Sequence, residues 1–590
     1  MRMLLLLWGL LAGPVFGFEE AVLLLSGASC VEDLSEDEMS RWEALAEHPV
    51  NLNVAGRSRL MASGLLTQFQ VISLLDYRRR TGAVLSWSEL ALVDGFSPGI
   101  VAALKVFARL GVEDADGGSG RFIPGRRESL QPTGSLTLRG TTRATIPYSA
   151  FADASWSGAG GLKLEAMAGE RAALFLSVRN TLSDARFGSP TFSAAYYGHR
   201  ALEQVVVGHF QARFGQGLVL WSGFRMSGYS SVGAFRRNGN GFAPTGSYSP
   251  KLLGVATDWH FGRWRLSAGY SVGSSWKDFG ALRSGAGGGQ SGLFGGTLPI
   301  LNLTRTARTS TLGLTATSEA AGFEARWSLP GGWSLFGEVA TGWKELADSG
   351  SGNPEVSAFG NWLRTLSSVA GAVWVPSYGH KWALLGRWSG PSSKEYSGLA
   401  LGYAGPSLET TLDAGHRLSD GQTQIKFVTQ WKPEFEWFGV GFHSQLRGVG
   451  RWRQDGLRLE LRGVLTAEYG PWTLSGRYDA VWYRGFAWNW YAEAGFRTDA
   501  LKVWLRGGIF KVDDWDDRIY VYERDASGSF NVPARYGRGW DASLNAAWDL
   551  GRHFSLRHSL WFRLETVQYP WALSPKSGRL EARLQYRLKW

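Results

Sequence analysis

The sequence predicts a mainly β chain: a large transmembrane antiparallel β-barrel of about 22 strands (roughly 18 to 24), preceded by a small all-α domain. Three observations predict it. Residues 457–482 read LRLELRGVLTAEYGPWTLSGRYDAVW, in which Leu457, Leu459 and Leu461 alternate with Arg458, Glu460 and Arg462. After a Gly470-Pro471 turn, Trp472, Leu474, Tyr478 and Trp482 alternate with Thr473, Ser475, Arg477 and Asp479. Successive side chains of a strand point to opposite faces, so one face is apolar with aromatic ends and the other is charged. Second, 78 glycines and 29 tryptophans among 590 residues suit tight barrel turns and a membrane–water boundary. Third, the chain ends Leu584-Gln585-Tyr586-Arg587-Leu588-Lys589-Trp590, with Leu584, Tyr586, Leu588 and Trp590 on one face. This ending is similar to the assembly signal read by the outer-membrane barrel-assembly machinery.

At the N-terminus, Arg2 and the run Leu4 to Leu11 form a charged and then an apolar segment too short to span a bilayer. Residues 1–17 are therefore expected to be an export signal. Cys30 invites a lipoprotein reading, but Gly27 stands where a lipobox carries leucine, so no lipid anchor is expected. A single cysteine excludes an intramolecular disulfide framework and a cysteine-based zinc cluster. The net charge of +11 is modest for this length and selects no partner by itself.

Residues 18–112 read as helical. In 32–47, Glu32, Asp33, Glu36, Asp37, Glu38, Glu43 and Glu47 stand against Arg41 alone, with Leu34, Trp42 and Leu45 available for one apolar face. Pro49 stops that helix, and Asn53 is expected to cap the next. Two helix pairs follow. One turns at Ser63-Gly64-Leu65-Leu66 and continues through Ile72, Leu75 and Tyr77-Arg78; the other turns at Val93-Asp94-Gly95-Phe96-Ser97-Pro98 and runs on through Phe107.

Asn51-Leu52-Asn53, Tyr77-Arg78 with Gly82, Ser88-Glu89-Leu90 and Val93-Asp94-Gly95-Phe96 together resemble a tandem helix-hairpin-helix domain of the ComEA type. In that family, hairpin glycines offer backbone N–H groups to a DNA phosphate at a helix N-terminus. The resemblance implies a DNA contact through Gly64, Leu65, Arg78, Arg79, Arg80, Gly95, Phe96 and Ser97. The sequence departs from the pattern at Leu66 and Ser97, where second glycines belong. A helical fold kept for protein contact, with its arginines a solvated face, stands beside the DNA reading.

Residues 113–133 read as an acidic, then Gly/Ser-rich linker. Alternation recurs from 134 to 590, for example in Trp264-Leu266-Ala268-Tyr270, Thr423-Ile425-Phe427-Thr429-Trp431 and Leu501-Val503-Leu505. At about 20 residues for each strand and its turn, this region holds about 22 strands around a polar lumen, open or plugged. With an even strand number both barrel ends lie in the periplasm, and the helical domain is expected there. Three long stretches interrupt the strands, at 214–249, 274–308 and 512–540. Such loops are extracellular or fold into the lumen. Phe214-Gly215-Gln216-Gly217-Leu218, Leu220 to Phe224, and the run from Arg518-Ile519-Tyr520 to Tyr536-Gly537-Arg538-Gly539 are similar to large barrel proteins of Bacteroidota-type bacteria that carry a helix-hairpin-helix domain.

Catalytic motifs lack their context. Gly269-Tyr270-Ser271-Val272-Gly273 fits G-x-S-x-G but lies inside an alternating strand, and Gly287, Gly289 and Gly292 fit G-x-G-x-x-G in a loop. Asp513, Asp514, Asp516 and Asp517 lack a calcium-loop spacing, and no histidine pair falls at i, i+4. The sequence therefore predicts no enzyme, no cofactor and no metal. It predicts an outer-membrane barrel of a Gram-negative envelope, in contact with lipid and lipopolysaccharide, whose helical domain binds DNA for uptake or transport. The alternative is a plugged barrel in an assembly or secretion complex, with the helical domain docked on a periplasmic protein.

Overall fold

The computed structural model describes residues 17–111, 132–147, 153–184, 186–188, 190–198, 201–222, 229–248, 252–273, 298–342, 365–377, 379–391, 393, 395–526, 529–553 and 556–590. The export signal and most of the 113–133 linker lie outside these residues.

The alternating segments form a closed antiparallel barrel of 24 strands, from Pro132–Ile146 to Gly578–Lys589. Neighbouring strands in the chain pair with one another, and the last pairs with the first from Ser135↔Lys589 to Ile146↔Gly578. Gly134 and Trp590 exchange backbone hydrogen bonds of 3.2 and 3.1 Å at the seam. A Cβ on Gly134 would lie 2.5 Å from the Trp590 ring, which is why glycine stands there. The barrel has 24 strands rather than about 22 because several are only 7–10 residues long and turn within a few residues. The segment expected as a loop over 274–308 includes the strand Leu298–Thr306, and the 512–540 loop gives way to the strand Gly537–His553.

Strand polarity separates two mouths. One carries turns such as 169–171, 262–263 and 470–471 together with both barrel termini; the other carries the long connections 214–251 and 513–536. The period of two sets the wall chemistry. In Gly456–Tyr469 and Trp472–Trp482, Leu457, Leu459, Leu461, Leu474 and Trp482 are exposed outward, whereas Arg462, Arg477 and Asp479 face in and are covered. Ser271, in the serine-elbow look-alike, is an inward strand residue whose hydroxyl accepts from the Leu253 N–H at 3.2 Å.

The N-terminal segment forms six helices among the described residues: α1 (Phe18–Ser26), α2 (Glu36–Glu47), α3 (Arg57–Ser63), α4 (Gln68–Thr81), α5 (Trp87–Leu90) and α6 (Pro98–Leu104). A 3-10 turn at Val31–Asp33 precedes α2, which starts on a capping box between Ser35 and Glu38. Their apolar faces make one core around Trp42, Leu52, Leu60, Leu74, Leu90, Leu104 and Phe107. Asn53 does not cap a helix. Gly56 precedes α3, and the Asn53 amide instead joins Val84 and Leu110, donating to both carbonyls at 2.8 and 2.7 Å and accepting from the Val84 N–H at 2.8 Å. The bidentate amide ties the two halves of the helical domain together, a role its position next to Val54 does not announce.

The helical domain was expected beneath the barrel, and its position is the main correction to that expectation. It lies inside the lumen, because its carboxylates and polar groups meet inward side chains of the wall at 163, 179, 447, 462, 477 and 587.

An arginine at an outward mid-strand site tests the barrel's orientation in lipid. Leu461→Arg is expected to destabilise the protein reconstituted in vesicles by about 2–4 kcal/mol, read by denaturant titration, whereas Tyr469→Arg, outward at the short-turn rim, is expected to cost about 1 kcal/mol or less.

Candidate functional site: the filled lumen

Between 18 and 48 the chain carries nine carboxylates and one arginine. The wall facing this segment is basic. Glu32 accepts from Arg462 at 3.1 Å and from Arg477, and Asp33 lies 3.6 Å from Arg447. Asp479 shares both arginines, at 2.8 Å from Arg462 and 2.7 Å from Arg477. On other parts of the circumference Arg179 meets Glu36 at 2.9 Å, Arg587 meets Glu47, and Lys163 donates to Ser40 at 3.1 Å. Burial alone would raise the Glu32 carboxyl, but Arg462 and Arg477 outweigh it and hold it well below the usual carboxylate range.

Helix α3 anchors the domain at the short-turn mouth. Arg59 pairs with Glu170 at 2.9 Å, and Glu170 also accepts from the Asn51 N–H at 2.7 Å. Ser58 donates to Glu203 at 3.1 Å, and Arg57 and Gln68 both donate to Thr306 at 3.3 Å. Glu170 sits in the turn between two strands, so the wall reaches the domain through a tight connection as well as through strand faces.

From the long-loop mouth two connections fold inward to meet the domain. In 214–248, Glu338 of the wall accepts from the Gln216 and Leu218 N–H groups at 2.5 and 3.3 Å, Lys426 donates to Ser230 at 2.6 Å, and Glu409 accepts from the Val232 N–H at 2.7 Å. This loop packs its own apolar residues, among them Phe214, Leu220, Val232 and Phe235, on inward alanines and valines of the wall. In 513–536, Ile519–Tyr520 pairs with Ala534–Arg535, and Glu523 binds Arg535 at 2.6 Å and Arg563. Burial opposes ionisation of Glu523, yet Arg535 and Arg563 bring its carboxyl down to about 2. Tyr522 and Phe530 of this loop pack against the helical core, and Arg524 lies 3.3 Å from Glu19.

The helical domain and the 214–248 loop meet glycine on glycine. Gly27 ends α1 at φ 73°, and a Cβ on Gly233 would lie 2.5 Å from the Gly27 Cα. The Ser231 hydroxyl donates to the Gly27 carbonyl at 2.5 Å. Beside this contact Cys30 is buried, and burial, then Asp33, pushes its thiol up to about 12.

The residues that the resemblance assigns to DNA are not gathered at one place. Gly64 ends α3 at φ 66° and faces the Arg41 guanidinium and Asn240 of the luminal loop, while Leu65 is buried in the helical core. Arg78 donates to the Leu52 and Ala55 carbonyls at 3.2 and 2.7 Å, which ties α4 to the segment before α3. Arg79 and Arg80 are exposed, and Arg80 pairs with Asp76 at 2.8 Å. In the second hairpin Gly95 is exposed at φ 89°, its carbonyl accepting from Gln70 at 2.8 Å; Phe96 is buried, and Ser97 caps α6. Gly95 contacts Phe69 and Gln70 at the start of α4, whereas Arg79 and Arg80 end it, about 15 Å away along the helix.

Among the described residues, Glu47, His48 and Glu165 lie within metal-ligand reach of one another, their donor atoms within 4.8 Å. Lys163 at 2.7 Å from Glu165, and Arg587 on Glu47, already neutralise these carboxylates. The aspartates of 513–517 have structural partners: Asp513 accepts from Arg538 at 2.6 and 2.9 Å, Asp514 caps the short turn at Trp515–Asp517, and Asp517 accepts from the Arg484 N–H at 3.0 Å. The alternation puts Arg462 and Arg477 on the charged inner face but does not name Glu32 as their partner. The signal of that pairing was present as an acidic segment with one arginine ahead of strands rich in inward arginine.

No family model matches the chain, and no curated protein matches it. Among solved structures it is similar to Pseudomonas aeruginosa OpdO, at 11% identity over 78% of this chain and 97% of that chain, with a TM-score of 0.32. It is also similar to P. aeruginosa OccK2 (OpdF) in complex with glucuronate, at 12% identity over 78% and 98% with a TM-score of 0.31, and to OccK9 (OpdG), at 11% over 78% and 99% with a TM-score of 0.31. At these scores the likeness carries no weight for function, and the barrel rests on its own strand pairing. Fold and site together define a closed β-barrel whose lumen holds a helical domain of the same chain.

Two outcomes follow from the site. Gly233→Val keeps an ordinary backbone but drives a side chain into Gly27, so amide hydrogen exchange in α1 is expected to rise at least ~10-fold while the wall strands stay protected. For Glu32, whose carboxyl is depressed in the docked state, the stabilisation is fully present above the ordinary carboxylate pKa and is lost as pH falls through the depressed value. Exchange protection of α2, corrected for intrinsic rates, is therefore expected to be flat between about pH 5 and 8 and to fall only in stronger acid.

Proposed function

We propose that the chain is a non-enzymatic outer-membrane barrel, closed at rest by its own N-terminal domain, that conducts solute when this domain leaves through the short-turn mouth. The observation that carries the reading is the division of forces. The helical domain has its own apolar core, while its contacts with the wall are predominantly ion pairs and hydrogen bonds. A body with its own core can move as a unit, and a polar interface can be rewetted without exposing an apolar core to water. The outward belt of Leu, Trp and Phe, the polar interior and the closed sheet support a bilayer setting, with the short-turn mouth on the periplasmic side.

Two features support a role for the domain outside the lumen. Leu85 and Leu92 are 61% and 84% exposed on it, which favours a periplasmic protein as the agent that draws it out. The exposed second hairpin, with Gly95 and Ser97, supports the DNA version, and a gel shift of the detergent-solubilised full chain with duplex DNA at low salt tests it.

Cys30 reports the gate. In the closed protein a membrane-impermeant maleimide is expected to label it at less than ~1% of the rate of a free thiol, because it is buried and un-ionised at neutral pH. Mild urea is expected to raise labelling and single-channel conductance together, before the wall unfolds. Conductance without labelling would contradict displacement of the domain.

A further inference from the structure

The wall that receives Glu32 and Asp33 is built against its own electrostatics. Four consecutive strands, Thr423–Trp431, Val440–Arg453, Gly456–Tyr469 and Trp472–Trp482, turn Lys426, Arg447, Arg451, Arg458, Arg462 and Arg477 towards the lumen. Three pairs in this patch are like charges placed directly opposite one another: Lys426↔Arg451, Arg451↔Arg458 and Arg447↔Arg462. Directly opposed like charges destabilise a sheet. Among the described residues the wall offers Glu460, 2.7 Å from Arg458, and Asp479, shared by Arg462 and Arg477, in partial compensation, while Asp413, directly opposite Lys426, is engaged by Arg387 at 2.6 Å. The rest comes from outside the wall. Asp33 covers Arg447, Glu32 bridges Arg462 and Arg477, Ser230 of the luminal loop covers Lys426, and the backbone of the 513–536 loop accepts from Arg458 and Arg477.

The same device recurs on the far strands. Arg563 and Arg583 are directly opposed, and Asp525 of the luminal loop lies against both. Both times a carboxylate carried on an insert completes a site made of paired arginines. Where the insert is a removable domain, its departure leaves a basic track across four strands, about 14 Å wide, facing water inside a low-dielectric wall.

Resting on the gated-barrel reading above, we propose that this patch is the binding site for a transported polyanion, and that Glu32 and Asp33 are the chain's own stand-in for its carboxylates or phosphates. The helical domain is then a built-in competitor as well as a stopper. Arginine suits the task, because its fork holds carboxylate and phosphate in two parallel hydrogen bonds. A solute with one charge meets one arginine; a solute with two or three bridges Arg447, Arg462 and Arg477 as the plug does.

The test uses the full chain in planar bilayers. E32Q/D33N is expected to open more often than the wild type and to set a reversal potential of anion selectivity in a potassium chloride gradient. Citrate and inorganic tripolyphosphate, added separately, are expected to block the chloride current. R447Q/R462Q in the E32Q/D33N background is expected to weaken that block at least ~10-fold while leaving the barrel folded, as shown by heat-modifiable migration. Block by citrate alone assigns the site to carboxylates, and block by tripolyphosphate alone assigns it to phosphates. An open channel that prefers cations, or block unchanged in the arginine variant, overturns the binding site and leaves the gate standing. No opening of E32Q/D33N, and none of the wild type in mild urea, overturns the gate itself.

Discussion

A guanidinium enclosed in a filled lumen must meet a carboxylate or a carbonyl, and this requirement organises the molecule. Strand alternation puts arginines inside wherever leucine and tryptophan face out. Once the interior is occupied by protein rather than water, each of those charges needs a partner, since an unpaired buried charge costs several kcal/mol. The acidic segment around α2, the turn carboxylate Glu170 and the luminal residues Glu523 and Asp525 are the partners, and their positions set the orientation of everything inside.

An interface made of such pairs fixes geometry more than it adds stability. Well-packed apolar residues of similar volume would often hold two bodies more tightly than a buried ion pair does, and would hold them less specifically. The helical domain keeps its apolar contacts largely to itself, with Tyr522 and Phe530 of the 513–536 loop the main intrusions. By contrast the 214–248 loop is fastened to the wall by an apolar cluster that includes Phe210, Phe214, Leu220 and Phe235. The two inserts are therefore unequal: the loop belongs to the wall, and the domain rests against it. That inequality is what makes one of them a candidate gate.

Much of the fold was legible because a barrel writes its rule in every strand. Leu457, Leu459, Leu461 and Leu474 face out, Arg462, Arg477 and Asp479 face in, and the turn at Gly470-Pro471 lies where the sequence placed it. Strand number was harder, because short strands with tight turns and longer ones with loops leave the same alternation. The hairpin at Gly64 was visible as a turn, yet its surroundings were not. Nothing in Ser63-Gly64-Leu65 reveals that Asn240 and Arg41 lie against it. Asn53 misled for a related reason: an amide that closes a domain over long range has the same local appearance as a helix cap. The polar lumen was legible but its helical occupant was not, because pairing between Glu32 and Arg477 spans 445 positions, and no local pattern records such a contact.

The claim that charge holds the domain in the lumen is tested most directly by a double-mutant cycle across the interface, with Glu32→Gln, Arg477→Gln and the pair, read as the free energy of α2 opening from hydrogen exchange. A buried, hydrogen-bonded pair predicts a coupling of about 2 kcal/mol or more, the double variant being less destabilised than the sum of the single ones. Additivity within about 0.5 kcal/mol would show that the two side chains do not share an interface, and the account of a charge-docked plug would fail.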